Sequence, residues 1–417
     1  MFTLEKTETC VERQTKPLKG SEHEPRPDSV ICFAGVDWWY HNRGHSECQI
    51  MRRLAKRVPV VWVNSIGMRF PTKGKTELPW RRYLRKAKST LKGLRRDESG
   101  MWVFSPLFIP VYRPSVLKLN GLLLATQLKA ISAALGIKSP SAFVTIPTAV
   151  GAAERIAKGR LVFNRSDEFS TFREADSSLI YPLERRLLGR ADTVIYVNRG
   201  LLEREQSHVR DARYLGHGVD WSHFAVDREN TVVPDAIKSL PKPIVGFYGA
   251  LDDYTVDLEL MIKIARHIKQ GTLLVIGPKA MDISRLEAEP NVRYLGPIPY
   301  ADLPKYAAHF DVALMPWLQN EWIAACNPIK LKEYLAMGFP VVTTKFAELK
   351  PYEHLVYPAA THEQFLAGVD SALAENDPAL REQRRQSVRS DSWDAAADRV
   401  AEMLNLPPRR GGDKCAE

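Results

Sequence analysis

The segment Asn327–Thr344 (NPIKLKEYLAMGFPVVTT) holds charged residues within a sequence that predicts both ends of a helix. Asn327 is a favoured N-cap residue, and Pro328 suits the first helical position because its missing N–H is not needed there. Gly338 can end the helix in the left-handed conformation, and Pro340 prevents its continuation. The pattern therefore predicts a helix followed at once by a strand.

The charges in this helix indicate the kind of ligand it would bind. Backbone N–H groups near Ile329 have no acceptor within the helix, and with the ammonium of Lys330 they would form an anion site. Glu333 lies three residues after Lys330 on the same face, where its carboxylate would accept hydrogen bonds from two hydroxyls. A ligand with a phosphate and a diol fits this arrangement. The alternative is an ordinary surface helix with a Lys330–Glu333 pair.

A short polar run follows a predicted strand in the first half of the chain. Asp167 lies in Asn164–Phe169 (NRSDEF), where its carboxylate would act as a general base toward a hydroxyl. The alternative is that Asp167 caps a helix that begins near Phe169.

A second polar loop, Asp37–His45 (DWWYHNRGH), follows the first predicted strand. Asn42, Arg43 and Gly44 are its candidates for binding a phosphate or a second substrate, and His45 is a second candidate for catalysis. The alternative is a solvated helix cap with the aromatic residues of the loop packed beneath it.

The elements that would position these residues alternate between strands and helices. Continuous apolar strands separated by amphipathic helices predict parallel sheets that are covered on both faces. The first series of strands comprises Val30–Gly35, Val58–Asn64, Met101–Leu107, Ala142–Ile146, Leu161–Asn164 and Asp192–Asn198. The second comprises Ile244–Ala250, Thr272–Ile276, Val292–Leu295, Asp311–Met315, Pro340–Thr344 and Leu355–Tyr357.

Two such series predict an α/β protein with two doubly wound Rossmann-like domains that face a cleft. A charge-rich and proline-rich stretch between the series predicts a linker. The predicted divisions are a tail at 1–28, a first domain at 29–224, a linker at 225–243, a second domain at 244–391, a terminal helix at 392–405 and a tail at 406–417.

The positive charge of the chain is concentrated in one segment. The 417 residues carry 59 Lys and Arg against 49 Asp and Glu, a formal net charge of +10. Residues 73–96 hold ten basic side chains and one acid, Glu77, and so carry a net charge of +9. The rest of the chain is nearly neutral, which excludes a protein with a generally basic body.

Within this segment, Pro79–Arg96 has the pattern of a basic amphipathic helix. Its apolar stripe comprises Trp80, Leu84, Ala87, Leu91 and Leu94. Such a helix would lie on an anionic membrane surface. The residues expected to contact the membrane are Trp80, Arg81, Arg82, Arg85, Lys88 and Lys92. The first alternative is a helix packed on the first domain. The second, nucleic-acid binding, ranks well below both because no stacking or base-reading module occurs.

The sequence lacks the features of several other classes of protein. Five scattered cysteines without a C-x-x-C pair favour reduced thiols over a disulfide framework or a zinc site. Histidine spacing suggests no metal site, and a G-x-x-x-x-G-K-[ST] motif is absent. The N-terminus lacks the apolar run of a signal peptide, and no apolar stretch of about 18 residues occurs. We therefore expect a cytoplasmic protein that uses no metal or cofactor.

The sequence E-Y-L-A-M-G-F-P-V-V that begins at Glu333 resembles the E-A-x-A-x-G-x-P-V-V pattern of GT-B glycosyltransferases, especially the large retaining family called family 4. Segments similar to that family also occur at Tyr214–Phe224, where His217 replaces the usual Asn, and at Asn291–Met315. The resemblance implies that Glu333 binds the ribose of a nucleotide-sugar. The further donor-binding residues that it implies are Lys330, Asn327, Ile329, Gly249 and Arg293.

Two departures from the family pattern concern the rest of the donor. The family often has a second Glu eight residues before the first, but that position is Ala325 here and the nearest upstream acid is Glu321. The family also places an Arg and a Lys after the first strand of the second domain, where Gly249–Asp257 holds only acids. The diphosphate would then depend on the helix terminus and Lys330, or on residues across the cleft. In retaining enzymes of this fold, a phosphate oxygen of the donor can also replace a carboxylate base.

The Asn-Pro-x-Lys sequence before Glu333 is similar to a subgroup concerned with bacterial surface polysaccharides, including teichuronic-acid-type transferases. The implied activity is transfer of a sugar from a UDP- or GDP-linked donor to a lipid-linked or oligosaccharide acceptor, at the inner face of the cell membrane. One alternative is an epimerase-like enzyme, which leaves the basic helix unexplained. The other is a catalytically degenerate binding subunit, which the two departures would explain.

Overall fold

The computed structural model describes residues 26–40, 44–67, 79–171, 176–324 and 326–408, apart from the side chains at 79–83 and 85. Two sheets with helices on both faces make up this part of the chain. None of its helices is both long and apolar enough to cross a bilayer.

The first sheet has eight strands, in the order β3-β4-β2-β1-β5-β6-β7-β8. Its strands are β1 (Ser29–Phe33), β2 (Val60–Val63), β3 (Leu94–Arg96), β4 (Trp102–Phe104), β5 (Pro140–Val144), β6 (Leu161–Arg165), β7 (Thr193–Tyr196) and β8 (Ala212–Tyr214). All neighbours are parallel except β3, which runs antiparallel to β4. The sheet order reverses between β1 and β5, where Val30 lies opposite Ser141.

The second sheet has six parallel strands, in the order β11-β10-β9-β12-β13-β14. They are β9 (Ile244–Tyr248), β10 (Thr272–Ile276), β11 (Val292–Tyr294), β12 (Val312–Met315), β13 (Val341–Thr344) and β14 (Tyr357–Ala359). This order is that of a doubly wound dinucleotide-binding fold, with the switch point between β9 and β12.

Sixteen helices occur in the described residues. They are α1 (Ser46–Leu54), α2 (Pro79–Thr90), α3 (Pro114–Ala134), α4 (Val150–Ile156), α5 (Ser177–Arg190), α6 (Arg199–Glu205), α7 (Trp221–Phe224), α8 (Asp235–Lys238), α9 (Leu258–His267), α10 (Ser284–Glu287), α11 (Leu303–Ala307), α12 (Glu321–Ala324), α13 (Ile329–Met337), α14 (His362–Ala374), α15 (Pro378–Ser387) and α16 (Trp393–Met403). Short 3₁₀ helices lie at Pro147–Ala149, Phe169–Thr171, Gln206–His208 and Ala347–Leu355.

Each strand contributes side chains to two apolar cores, because successive residues of a strand point to opposite faces. In β1, Ile31 and Phe33 pack with α3, α4 and α5, whereas Val30 and Cys32 pack with α1 and α16. The second sheet is likewise covered by α11 and α13 on one face and by α9 and α14 on the other. Burial on both faces explains the continuous apolar strands, and the predicted α/β class with two doubly wound sheets is confirmed.

The terminal helix α16 packs on the first domain, although the chain reaches it from the second. Trp393 and Val400 belong to the same core as β1 and α1. The two segments that cross between the domains pair with each other, since Val219 N–H donates to Asp391 O at 2.8 Å and Trp393 N–H donates to Val219 O at 3.3 Å. These segments form the hinge between the domains.

The folded part of the chain extends slightly into both predicted tails, 1–28 and 406–417. Asp28 Oδ2 accepts hydrogen bonds from the backbone N–H groups of Lys138 at 2.6 Å and Ser139 at 3.1 Å, so the first domain begins before Ser29. Leu406 is buried in the core that contains α16. Residues 1–25 and 409–417 lie outside the described residues.

The basic helix is shorter than its sequence pattern predicts. Helix α2 ends at Thr90, Gly93 adopts a positive φ of 58°, and Leu94 pairs with Phe104 in the sheet. The predicted helix over Pro79–Arg96 is therefore wrong in its last turn, because strand pairing replaces the helical hydrogen bonds. The strands β3 and β8 were not predicted, since both are short and mostly polar.

Candidate active site

The candidate site lies where the carboxyl ends of β9 and β12 meet the start of α13. Ligands of doubly wound sheets bind at this switch point, because the connections leave a crevice there. The loop after β9 begins with Gly249, and α13 carries Lys330 and Glu333. The structure therefore brings together three of the residues that the sequence pointed to.

Glu333 is a buried carboxylate with one hydrogen-bond donor. The hydroxyl of Tyr248, the last residue of β9, donates to Glu333 Oε2 at 2.9 Å. Burial raises the pKa of Glu333 to about 7, while the Tyr248 hydrogen bond and the charge of Lys330 act in the opposite direction. Glu333 Oε1 has no hydrogen-bond partner among the described residues. It remains available to a ligand hydroxyl.

Lys330 lies between the loop after β9 and two aromatic rings. Its ammonium is 5.0 Å from the ring centroid of Phe247 and 5.7 Å from that of Trp317. Within the described ranges no hydrogen bond or ion pair involves this ammonium, and burial lowers its pKa. Gly249 has a φ of 147°, and a Cβ there would collide with Lys330 Nζ. The absence of a side chain at Gly249 thus makes room for the lysine.

The first turn of α13 differs from the prediction in its cap. Pro328 is the N-cap residue, with φ −80° and ψ 124°, and no side chain caps the helix. Asn327 instead donates from Nδ2 to the backbone oxygen of Val197 at 2.8 Å, across to the first domain. The predicted N-cap role of Asn327 is wrong, because its amide is used between domains. Nothing in the described residues accepts the N–H of Ile329 or Lys330, so these donors at the start of α13 are available to a ligand.

The end of the same helix agrees with the prediction. Gly338 has a left-handed φ of 79°, and its N–H donates to Leu335 O at 2.9 Å. Phe339 N–H donates to Tyr334 O at 3.2 Å, so the helix closes where β13 must begin.

On the first-domain side, Asp167 faces the crevice from the loop after β6. Burial raises the pKa of Asp167, while a hydrogen bond from Ser166 and the charge of Arg165 act in the opposite direction, and the charge of Glu47 adds a smaller increase. The charge of Asp167 in turn contributes, after burial, to raising the pKa of Cys326 to about 12, which places Asp167 near the start of α13. No backbone N–H of the described residues donates to the Asp167 carboxylate, so the helix-cap alternative is not what the structure shows.

The loop after β1 holds the other candidates of the first domain. Asn42 and Arg43 lie outside the described residues, whereas Gly44 and His45 directly precede α1. His45 is the N-cap residue, but its side chain makes no capping hydrogen bond. Burial and the nearby charges of Lys332 and His45 lower the pKa of His217 to about 3, so His45 lies toward the hinge.

Sequence reasoning missed several residues of this site. Glu47, buried in the first turn of α1, lies close to Gly35, whose N–H donates to Thr145 Oγ1 at 2.7 Å. Thr145 lay inside the predicted strand Ala142–Ile146, and Glu47 lies beyond the loop Asp37–His45, so neither residue had a direct signal in the sequence. Tyr248 carried no such signal, because its pattern is that of an apolar strand residue.

Arg293 does not lie beside Gly249, Lys330 and Glu333. It lies on the edge strand β11, which β10 separates from β9, and its side chain is exposed. Two strand spacings place it about 10 Å from β9. A role for Arg293 in donor binding stays a prediction.

The aromatic loop after β1 is connected to α2 through a buried polar network. Ser89 of α2 is fully buried and donates to Asp37 Oδ2 at 2.7 Å. Asn64 Oδ1 accepts from the N–H of Trp38 at 2.8 Å. Trp39 Nε1 donates to Ser105 Oγ at 3.1 Å. The basic helix is thus packed through its polar Ser89 face against the loop that leads to the crevice.

A separate cavity of about 210 Å³ lies between the domains on the Lys332 side of α13. Lys332 Nζ donates to His217 O at 2.6 Å and to Asp391 Oδ2 at 2.7 Å. On another wall, Glu348 accepts hydrogen bonds from Arg199 N–H at 2.7 Å and from Tyr214 Oη at 2.8 Å. These contacts connect the two domains at the hinge.

No group of three or more His, Cys, Asp or Glu side chains comes together as a metal site in the ranges that the structure describes. The crevice instead offers a carboxylate for hydroxyls, an ammonium and helix N–H groups for a phosphate, and a second carboxylate across the cleft.

Comparison with known proteins agrees with this geometry. Residues 242–375, which include Glu333 and β9, match the family described as "Glycosyl transferases group 1". The chain is also 27% identical over 260 residues to the "Putative teichuronic acid biosynthesis glycosyltransferase TuaH" of Bacillus subtilis (strain 168). That match covers 59% of this chain and 64% of the relative, so it spans less than two thirds of the relative's length.

Solved structures share the arrangement of both domains. The sucrose-phosphate synthase from Thermosynechococcus elongatus has a TM-score of 0.65 at 16% identity, covering 90% of this chain and 98% of its own. The Anabaena protein HepE, in complex with UDP and glucose, has a TM-score of 0.60 at 15% identity, with 90% and 99% covered. At these identities the likeness shows the fold, which is GT-B. The chain has the GT-B fold, and its residues 242–375 match a group 1 glycosyl transferase domain.

Proposed function

We propose that this chain transfers a sugar from a UDP- or GDP-linked donor to a glycan acceptor during assembly of a bacterial surface polysaccharide. The observation that carries the proposal is the buried Glu333 carboxylate, held by Tyr248 beside Lys330 at the start of α13. The family match over this segment, the relative named for teichuronic acid biosynthesis and the UDP in the HepE structure support it.

In this proposal, Glu333 binds the nucleotide ribose. One carboxylate oxygen is occupied by the Tyr248 hydroxyl, so the second accepts hydrogen bonds from the ribose hydroxyls. Hydrogen bonds to an ionised carboxylate are stronger than those between neutral groups. The nucleotide would therefore favour the ionised form of Glu333.

Lys330 and the first N–H groups of α13 hold the diphosphate. The ammonium lies beside the loop after β9 without an ion pair in the described residues, and the helix N-terminus adds a partial positive charge. Negative charge grows on the diphosphate as its bond to the sugar breaks, and positioned cationic groups stabilise that charge. We propose that these groups perform this role without a metal ion or other cofactor.

Asp167 is the candidate base for the acceptor hydroxyl. Its raised pKa and its position across the cleft from α13 suit a carboxylate that takes up a proton from the acceptor hydroxyl. The resemblance to family 4 implies retention of configuration, in which case a donor phosphate oxygen would take the proton instead. Determining the anomeric configuration of the product by NMR would test retention.

We further propose that the acceptor is lipid-linked and that α2 holds the protein at the inner face of the cell membrane. Leu84, Ala87 and Leu91 of the predicted stripe are exposed, and Leu91 is 84% exposed. Lys88 and Lys92 are exposed beside them. These three exposed side chains favour the membrane contact over a packed stripe, whereas Leu94 of the same stripe packs against the core of the first domain. The side chains of Trp80, Arg81, Arg82 and Arg85 lie outside the described residues.

A thermal-shift screen against a panel of nucleotide-sugars tests the enzymatic part of the proposal. A ligand that binds only the folded protein raises its melting temperature. We expect a shift with a UDP- or GDP-sugar and none with the free sugar. Absence of any shift would favour the degenerate binding subunit, and sugar turnover without an acceptor would favour the epimerase.

A further inference from the structure

Helix α3 of the first domain exposes leucines on its outer face. Leu119, Leu122 and Leu123 are between 36% and 53% exposed, whereas Leu124 and Leu128 of the same helix are buried in the core. A surface helix ordinarily has polar residues on its outer face, and contiguous exposed apolar side chains mark an interaction surface.

The loop after β4 adds two more apolar side chains to this face. Leu107 is 61% exposed and Ile109 is 39% exposed. Their backbone groups are held by side chains of α3, in two reciprocal pairs. Gln127 Oε1 accepts from Leu107 N–H at 2.9 Å while its Nε2 donates to Leu107 O at 2.8 Å.

The second pair repeats this arrangement one step further along the loop. Asn120 Oδ1 accepts from Ile109 N–H at 2.8 Å, and its Nδ2 donates to Ile109 O at 2.8 Å. Four hydrogen bonds thus attach the loop to α3 while its apolar side chains stay in solvent. We call Leu107, Ile109, Leu119, Leu122 and Leu123 the leucine platform.

The loop of the leucine platform is adjacent to α2. Phe108, between the two exposed loop residues, lies under Lys86 of α2, with Nζ 5.2 Å from the ring centroid. Helix α2 and the platform are therefore neighbouring parts of the first domain.

Charge on this side favours an anionic partner. From Ser99 to Ala153 the chain contains no Asp or Glu. The basic residues of that stretch, all of them exposed, are Arg113, Lys118, Lys129 and Lys138. Lys118 and Lys129 lie in α3, Arg113 directly precedes it, and Lys88 and Lys92 lie in and just after α2, so both helices carry positive charge as well as exposed apolar side chains.

We infer that the leucine platform inserts into the headgroup–acyl boundary of an anionic bilayer, with the basic residues of α2 and α3 at the headgroups. The inference rests on the membrane association proposed above and adds a second contact, through α3 and the loop after β4. Basic helices with a leucine-rich face bind at this depth. A second copy of the chain suits the surface poorly, because a symmetric contact would bring the same basic residues face to face.

Flotation with phosphatidylcholine vesicles containing phosphatidylglycerol tests the inference. The variant is L119Q/L122Q/L123Q, and the matched control is V232Q/V233Q, which alters two exposed valines of the interdomain segment. We expect the α3 variant to lose about tenfold or more in vesicle partitioning, since each leucine contributes buried apolar area. The control should float like the wild type, and both variants should keep the wild-type melting temperature and nucleotide-sugar shift.

The outcomes separate this inference from the proposed function. Wild-type flotation of the α3 variant would overturn the platform while leaving membrane association through α2 in place. A wild-type protein that does not float would overturn both membrane statements but not nucleotide-sugar binding. A wild-type dimer that the α3 variant converts to a monomer in sedimentation velocity, without vesicle binding, would identify the platform as a subunit interface and overturn the inference.

Discussion

Tyr248 Oη donates a hydrogen bond of 2.9 Å to Glu333 Oε2, and both residues are buried. The tyrosine ends β9 and the glutamate lies in the middle of α13, 85 residues further along the chain. This contact orients the carboxylate toward the crevice and supports its ionised form. Burial acts against ionisation and raises the pKa of Glu333 to about 7.

Donor affinity should therefore depend on pH. The ionised carboxylate is the better acceptor for ribose hydroxyls, so affinity should rise as pH increases through about 7. In Tyr248→Phe the supporting hydrogen bond is lost, and the midpoint should move to higher pH, with affinity at neutral pH about tenfold weaker. Calorimetric titrations across this range measure both effects. A pH-independent affinity in both proteins would contradict the role of the ionised form.

Gly249→Ala should displace Lys330 and weaken donor binding. The φ of 147° disfavours a side chain, and the new Cβ would occupy the space of Lys330 Nζ. We expect a loss of about 1–3 kcal/mol in the free energy of unfolding, together with weaker nucleotide binding. The control is Gly189→Ala, in α5, where a Cβ meets nothing within 4 Å and the φ is not positive. It should be neutral or stabilising, and equal behaviour of the two variants would refute the argument.

Asp167→Asn tests the acceptor side of the cleft separately from the donor side. If the carboxylate is the base, kcat should fall by about 10²–10⁴-fold while donor affinity stays unchanged. The acid limb of the pH–rate profile, which the raised pKa of Asp167 predicts, should also disappear. A variant with wild-type kcat would assign the proton transfer to a donor phosphate oxygen.

Glu348→Ala should loosen the two domains without affecting nucleotide affinity. Its carboxylate, buried between the domains, accepts from Arg199 N–H and Tyr214 Oη. Removing it leaves two donors without this acceptor, and we expect a loss of about 1–3 kcal/mol in unfolding free energy. X-ray scattering should show a larger radius of gyration.

The control for this variant is Glu353→Ala, an exposed residue of the same 3₁₀ helix. Among the described residues, Glu353 forms a 3.8 Å ion pair with Lys345 and no other polar contact, and both partners are about half exposed. Its loss should change stability by less than about 1 kcal/mol. Matching behaviour of the two variants would show that the Glu348 contacts do not hold the domains together.

Local patterns were sufficient for the apolar strands, the fold class and the end of α13, but not for the short polar strands β3 and β8. Gly338 and Pro340 define that end chemically, and continuous apolar runs define strands buried on both faces. The GT-B expectation came from the segment that begins at Glu333, and the same segment lies in the matched family region.

Contacts between distant residues account for what the sequence did not show. Asn327 is a good N-cap residue in isolation, but its amide binds Val197 O in the other domain. The apolar spacing of α2 continues to Leu94, yet pairing with Phe104 ends the helix earlier. In the sequence, Ser89 has the pattern of a polar surface residue. In the structure it is buried, and its hydroxyl donates a hydrogen bond to Asp37, 52 positions earlier.

The most direct test of the central claim is calorimetric binding of the nucleotide-sugar identified in the thermal-shift screen to wild type, Glu333→Ala and Glu353→Ala. The Glu333 variant should bind at least about tenfold more weakly, since each hydrogen bond to a charged carboxylate contributes about 1.5–3 kcal/mol. The Glu353 variant should bind as the wild type does. Equal affinity of all three proteins would contradict the placement of the nucleotide ribose at Glu333.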